Sequence, residues 1–187
     1  MQVLTLRGPA VSHVIETYGN ALTELRTYVP DLVLVGGAVR DVYFKRPVKD
    51  LDFMSCDPQA ARILSEYYKE PITPVLVAVQ ATYESTRETL IRAYENGAKT
   101  INVLLVTEFL AHIALFPDSI SQVWTDGKSV FGTQRFNDTA ASRVVRYTDR
   151  MSHERLSRIH AKYPEFLYGF DAPEGPREPV ALYQDCA

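Results

Sequence analysis

Apolar residues recur along this chain at two spacings, and the changes of spacing mark out its elements. Residues 1–6 read as a short strand or an extended lead-in. Over 9–28, Val11, Val14, Ile15, Leu22 and Leu25 recur at helical spacing behind Pro9, which predicts a helix. Residues 31–35 form an apolar strand ended by Gly36-Gly37. A helix follows to about Phe44, where Arg46-Pro47 stops it. Residues 50–55 are the next strand, and Asp57-Pro58 opens a helix to about Lys69. The stretch 71–78 is ambiguous, although Val75, Leu76, Val77 and Val79 suit a buried strand. Residues 83–94 read as helical, with Glu88 and Arg92 at i,i+4 and Gly97 just beyond.

Residues 99–106 carry the β-branched run of a central strand, and Thr107 opens a short helix through Leu115. Residues 119–124 alternate as a strand, and Asp126-Gly127 signals a hairpin turn into 129–131. From Asp138 the pattern is helical again, ending in a basic helix over about 152–163; beyond Pro164 it predicts an irregular arm. Helices interspersed with strands predict an α/β (α+β) domain with a mixed sheet flanked by helices. The expected organisation is a domain over 1–134 and a basic helical extension and arm over 135–187.

Composition changes this picture little. The chain of 187 residues is 46% hydrophobic and 23% charged, the profile of a globular protein. A net charge of −3 and a pI near 5.8 argue against a surface covered with nucleic-acid-binding groups. The average hides an asymmetry: residues 135–162 carry seven Lys/Arg against three Asp/Glu, so one face can still attract a polyanion. Two cysteines, Cys56 and Cys186, provide no disulfide framework, which fits a reducing, cytoplasmic compartment. No apolar run approaches the length of a membrane span, and no signal peptide is legible.

The chemistry concentrates in residues 32–53, LVLVGGAVRDVYFKRPVKDLDF. A buried strand delivers the chain to Gly36 and Gly37, which let backbone N–H groups approach a phosphate closely. The helix that begins there aims its free amides and dipole at the same place, and Arg40 adds a fork of donors one turn in. Asp50 and Asp52 then alternate on a strand, so both carboxylates project from one face. Carboxylates held so close repel each other unless a divalent cation lies between them, and Mg²⁺ (or Mn²⁺) suits an oxygen-donor pair completed by substrate phosphates.

This segment resembles the glycine–aspartate signature of the polymerase-β-like nucleotidyltransferases, in the branch of poly(A) polymerases and CCA-adding enzymes. The match covers about two dozen residues, and Arg46 lies where that branch often carries a basic residue. The resemblance implies a nucleotidyltransferase fold and transfer of a nucleoside monophosphate from an NTP, such as ATP, to a hydroxyl, with RNA or tRNA 3′ ends as expected acceptors. It assigns Gly36, Gly37 and Arg40 to phosphate, and Asp50 and Asp52 to metal and catalysis. Asp41 also matches and reads as structural, orienting Arg40. Residues 121–127 and the run Arg155, Arg158, Lys162-Tyr163-Pro164 are similar to compact bacteriophage-encoded proteins of this kind.

Two features depart from the family. The strand that often supplies a third carboxylate offers Asn102; the alternatives are Asn102 as substitute, Asp118 in that role, a two-carboxylate enzyme, or a protein that binds nucleotide without efficient transfer and acts through a protein partner. The paired-arginine-aspartate stretch that helps choose the base has no convincing counterpart. Arg155, Arg158 and Lys162 share one helix face, which serves either as a phosphate or RNA-acceptor contact or as a solvated amphipathic face. Tyr67, Tyr68, Tyr83 and Tyr94 are candidates for base stacking weighed against core packing. His112, on an apolar helix, reads as a satisfied core histidine, and Trp124 as core.

Overall fold

The computed structural model describes residues 1–75, Thr86 and 88–171. Its centre is an eight-stranded mixed sheet in the order β1-β8-β7-β2-β3-β6-β5-β4. These strands are β1 (Val3–Thr5), β2 (Val33–Val35), β3 (Leu51–Ser55), β4 (Ile72–Val75), β5 (Leu90–Asn96), β6 (Ile101–Val106), β7 (Val123–Thr125) and β8 (Val130–Thr133). The β3–β6 pair is parallel and every other pair in this sheet is antiparallel.

The two faces of the sheet are covered unequally. Leu34, Phe53, Val103 and Leu105 point to one face, where α1 (Pro9–Leu25), α2 (Gly37–Tyr43) and α3 (Ala60–Tyr68) bury Val14, Leu22, Val39 and Leu64 against them. Val33, Val35, Met54, Leu104 and Trp124 point to the other, where α4 (Phe109–Ala114) contributes Ile113. In-register pairing puts Val35 opposite Asp52 and Asp52 opposite Asn102, so these share the face of α4. Apolar side chains occupy most of that face, and polar ones gather at the end where β2 delivers the chain to α2.

The hairpin between β7 and β8 forms as its Asp-Gly turn predicts. Asp126 Oδ1 accepts from the amides of Lys128 and Ser129, and Gly127 has φ of 90°. A Cβ on Gly127 would lie 2.8 Å from Leu22 Cβ, so this glycine also allows the turn to rest on α1.

Several expectations from the pattern are corrected. The helix expected over 83–94 is not formed in its described part. Residues 90–96 are β5, paired on both sides, and Glu88 lies 3.7 Å from Arg150 rather than pairing with Arg92. Pairing with β4 and β6 satisfies this backbone and buries Ala93, which outweighs local helix preference. Residues 76–78, the rest of the ambiguous stretch, and Tyr83 lie outside the described residues. The strand expected over 119–124 begins as a 3₁₀ turn, Ser119–Ser121, because Asp118 Oδ1 accepts from the Ser121 amide; only then does β7 start.

The C-terminal segment is also more regular than its pattern suggests. After α5 (Gln134–Ser142) the chain forms β9 (Val144–Tyr147), α6 (His153–Lys162) and β10 (Leu167–Phe170), with β9 and β10 paired in parallel. Part of the expected helical run and part of the expected irregular arm are thus strands that need each other to satisfy their backbones. Ser152 caps α6 by accepting from the Arg155 amide. Val145, Ile159, Tyr163 and Phe166 close a third apolar cluster on Ile120, with Phe44 packed against it. Among the described residues, no helix is long and apolar enough to cross a membrane.

Candidate active site

The cleft is built where β2 turns into α2. Gly36 has φ of 62°, a conformation that L side chains rarely adopt, and precedes the first residue of α2. Gly37 faces the acidic strand. A Cβ built on it would lie 3.7 Å from Arg40 Nη2, 3.9 Å from Asp52 Oδ2 and 4.0 Å from Asp50 Oδ1. The space that glycine leaves is therefore bordered by two carboxylate oxygens and one guanidinium nitrogen. Asp50 keeps 29% of its side chain exposed, and Lys49 Nζ lies 3.8 Å from its Oδ2.

Burial pushes the Asp52 carboxyl up to about 6, and the neighbouring Asp50 charge adds to the rise; Asn102, Arg155 and Arg40 oppose it. Asn102 Nδ2 donates to Asp52 Oδ1 at 2.8 Å. A desolvated carboxylate beside a second carboxylate is the arrangement that a divalent cation relieves. The two oxygens that converge over Gly37 are donors of the kind Mg²⁺ or Mn²⁺ takes. Among the described residues, no group of three or more His, Cys, Asp or Glu could hold a metal, so a cation bound here would draw its other ligands from substrate and water.

Arg40 is buried and fully oriented. Its Nε donates to Asp41 Oδ1 at 2.8 Å and to Tyr163 Oη at 3.1 Å, and its Nη1 donates to Ser121 Oγ at 3.0 Å. Asp41 also accepts from Tyr163 Oη at 2.5 Å and from Lys162 Nζ. The network joins α2 to α6 and brings α6 over the cleft. Arg155 Nε donates to Asp118 Oδ2 at 2.9 Å, and its Nη2 reaches Ser121 Oγ at 3.3 Å. Arg158 carries no ion pair to a described residue.

The residues assigned to phosphate, metal and acceptor border one cleft of about 250 Å³: Gly36, Gly37, Arg40, Asp50 and Asp52 on the sheet side, and Arg155, Arg158 and Lys162 on α6. The ion pairing of the α6 cations differs. Lys162 is paired with Asp41, which it shares with Arg40, and Arg155 with Asp118, whereas Arg158 has no such partner among the described residues. Asp118, weighed as a third carboxylate, is buried behind the cleft with both oxygens engaged, one by the Ser121 amide and one by Arg155.

Other parts of the cleft carry no signal in the sequence. Ser121 links the two arginines, yet it reads as an ordinary strand residue. Tyr163 stands out only as a member of the run from Arg155 to Pro164, with nothing to mark its contact with Arg40 and Asp41. His112 and Phe116 line the cleft from α4 and the residues after it. His112 is buried, as expected, but only half satisfied: Nδ1 bonds to Thr89 Oγ1 at 2.7 Å, while Nε2 has no hydrogen-bond partner among the described residues. Tyr67, Tyr68 and Tyr94 pack against the main core. Trp124 is core, stacked on Phe131.

This mixed sheet flanked by helices is a fold shared with solved nucleotidyltransferases. No family model and no curated protein matches the sequence. Solved structures do match the fold. A tRNA-processing enzyme in an apo form superposes with a TM-score of 0.56 at 13% identity, over 89% of this chain and 46% of that one. A CCA-adding enzyme in complex with CTP gives 0.52 at 11% identity, over 79% and 37%. A tRNA nucleotidyltransferase complexed with a primer tRNA and an incoming ATP analog gives 0.51 at 14% identity, over 79% and 46%. The chain thus spans less than half the length of these enzymes.

Proposed function

We propose that this protein is a metal-dependent nucleotidyltransferase that moves a nucleoside monophosphate from an NTP to a hydroxyl, with an RNA 3′ end, tRNA especially, as acceptor. The observation that carries this reading is the convergence of Asp50 Oδ1 and Asp52 Oδ2 over Gly37, in a cleft walled by Arg40, Arg155 and Arg158. The tRNA acceptor follows from the likeness to enzymes solved with tRNA and nucleotide, and from the basic stretch over 135–162.

The amides at the start of α2, with Arg40 and Arg158, would hold the β- and γ-phosphates. Asp41 and Ser121 keep the Arg40 fork in one orientation, so little ordering is left to do when a phosphate arrives. Asp50 and Asp52 would hold a divalent cation, which when bound supplies neutralisation of charge on the attacking and leaving oxygens. In the transfer, the acceptor oxygen bonds to the α-phosphorus while the bond to the bridging oxygen breaks. Pyrophosphate leaves with that electron pair, and the hydroxyl proton passes to an aspartate or to water.

The test is pyrophosphate release from each of the four NTPs with Mg²⁺ or Mn²⁺ and total tRNA. Wild type should turn over, and an Asp50→Asn/Asp52→Asn double variant should fall to background while staying folded. Retained turnover in the purified double variant would end this assignment. Asn102 favours a second reading, since its amide cannot take a proton from an acceptor: a protein that binds nucleotide and acts through a protein partner. That reading requires NTP binding with no pyrophosphate release under either metal.

A further inference from the structure

β3 and β6 run in parallel with Asp52 opposite Asn102, so the two side chains stand side by side on the cleft face. The amide nitrogen of Asn102 takes Asp52 Oδ1 at 2.8 Å. The other oxygen, Oδ2, points to the space over Gly37, where Asp50 Oδ1 also arrives. The two oxygens of Asp52 therefore have different surroundings: one is engaged within the sheet and the other faces the cleft.

We propose that Asn102 is a positioning residue, whose amide pins Asp52 so that Oδ2 and Asp50 Oδ1 meet a divalent cation with one oxygen each. This rests on reading the cleft as a metal–nucleotide site. The choice of amide over carboxylate has a physical reason. An aspartate at 102 would have the same size but no donor, and would place a like charge next to Oδ1 beside an already repelling pair. An apolar residue would leave Oδ1 without its partner and let the carboxylate swing. The amide satisfies the oxygen without adding charge. Second-layer partners of this kind commonly govern metal affinity as strongly as a ligand's own orientation requires.

The measurement is Mn²⁺ binding by electron paramagnetic resonance, to the full chain with a non-hydrolysable NTP analogue. Asn102→Leu, close in size and without a donor, should weaken Mn²⁺ binding by about tenfold or more, while analogue binding in EDTA stays as in wild type. Equal Mn²⁺ affinity in wild type and Asn102→Leu would overturn the inference and leave the metal site standing. Absence of Mn²⁺ binding by wild type would overturn the metal reading itself and this inference with it. Asn102→Asp supplies an independent check by thermal unfolding at pH 8. Without divalent ions its midpoint should fall below wild type, and Mn²⁺ should restore most of the difference. A metal-free midpoint equal to wild type would show that residue 102 does not face the Asp52 charge, and would also overturn it.

Discussion

At His112 the fold holds an imidazole in its neutral form. Burial lowers its pKa to about 4, below the ordinary value of 6.5, because the charged ring would lose its hydration. Between pH 6.5 and 4 the unfolded chain therefore binds more protons at this site than the folded one. The stability this supports is fully present above pH 6.5 and is lost as pH falls toward 4, an effect of about 3 kcal/mol. Urea unfolding of wild type and His112→Leu at pH 7 and pH 4.5 checks this. Wild type should lose about 2 kcal/mol more than the variant on acidification, and equal losses would refute the assignment. Individual residues were unevenly legible. Gly36, Gly37, Asp50 and Asp52 stand out because turns and strands impose local geometry; Ser121, Tyr163 and His112 acquire meaning only from neighbours distant in sequence.

Helix α6 is tied to α2 by one buried carboxylate. Asp41 receives Arg40, Lys162 and Tyr163, so its one negative charge is shared by two cations while it fixes the angle at which α6 faces the cleft. Asp41→Ala leaves those charges without compensation and should cost about 3–5 kcal/mol. Tyr163→Phe removes two bonds to charged groups, one donated to Asp41 and one accepted from Arg40, and should cost about 2–4 kcal/mol. Chemical denaturation measures both, and a Tyr163→Phe protein as stable as wild type would show that the phenol does not hold the helices together. The sequence placed α6 and its basic face correctly. It did not show that Lys162 faces an internal aspartate, since charge pairing across 121 residues leaves no mark in a local pattern. Strand β5 is the same lesson in another form. Residues 90–94 read as helical when taken alone and become part of a strand over 90–96 because β4 and β6 offer hydrogen bonds on both edges.

In the molecule as a whole, the cleft is assembled from both ends of the chain: the sheet supplies acids and glycines, and α6 supplies cations. A ligand that bridges them stabilises the folded state by mass action. At about one hundred times its dissociation constant an Mg²⁺–NTP complex should add about 3 kcal/mol, which for a chain of this size raises the midpoint by about 5–10 °C. Thermal scans with and without EDTA separate the parts: the Asp50→Asn/Asp52→Asn protein should lose the metal-dependent increment. No shift with any of the four NTPs would contradict nucleotide binding in this cleft. The equilibrium measured here needs no acceptor, so it stands apart from the turnover assay.

By itself the sequence determined the class of fold, the glycine turn, the acidic strand and the basic helix, because periodicity, backbone freedom and strand alternation act over a few residues. Tertiary structure decided the rest. Parallel pairing set Asn102 against Asp52, and the buried network around Asp41 turned α6 toward the cleft. It also engaged Asp118 with Arg155 and the Ser121 amide, and made strands of 90–96 and 167–170. Each of these depends on burial or on hydrogen-bond partners brought together only by the folded chain. Desolvation and edge pairing are properties of that assembly, and a local pattern does not contain them.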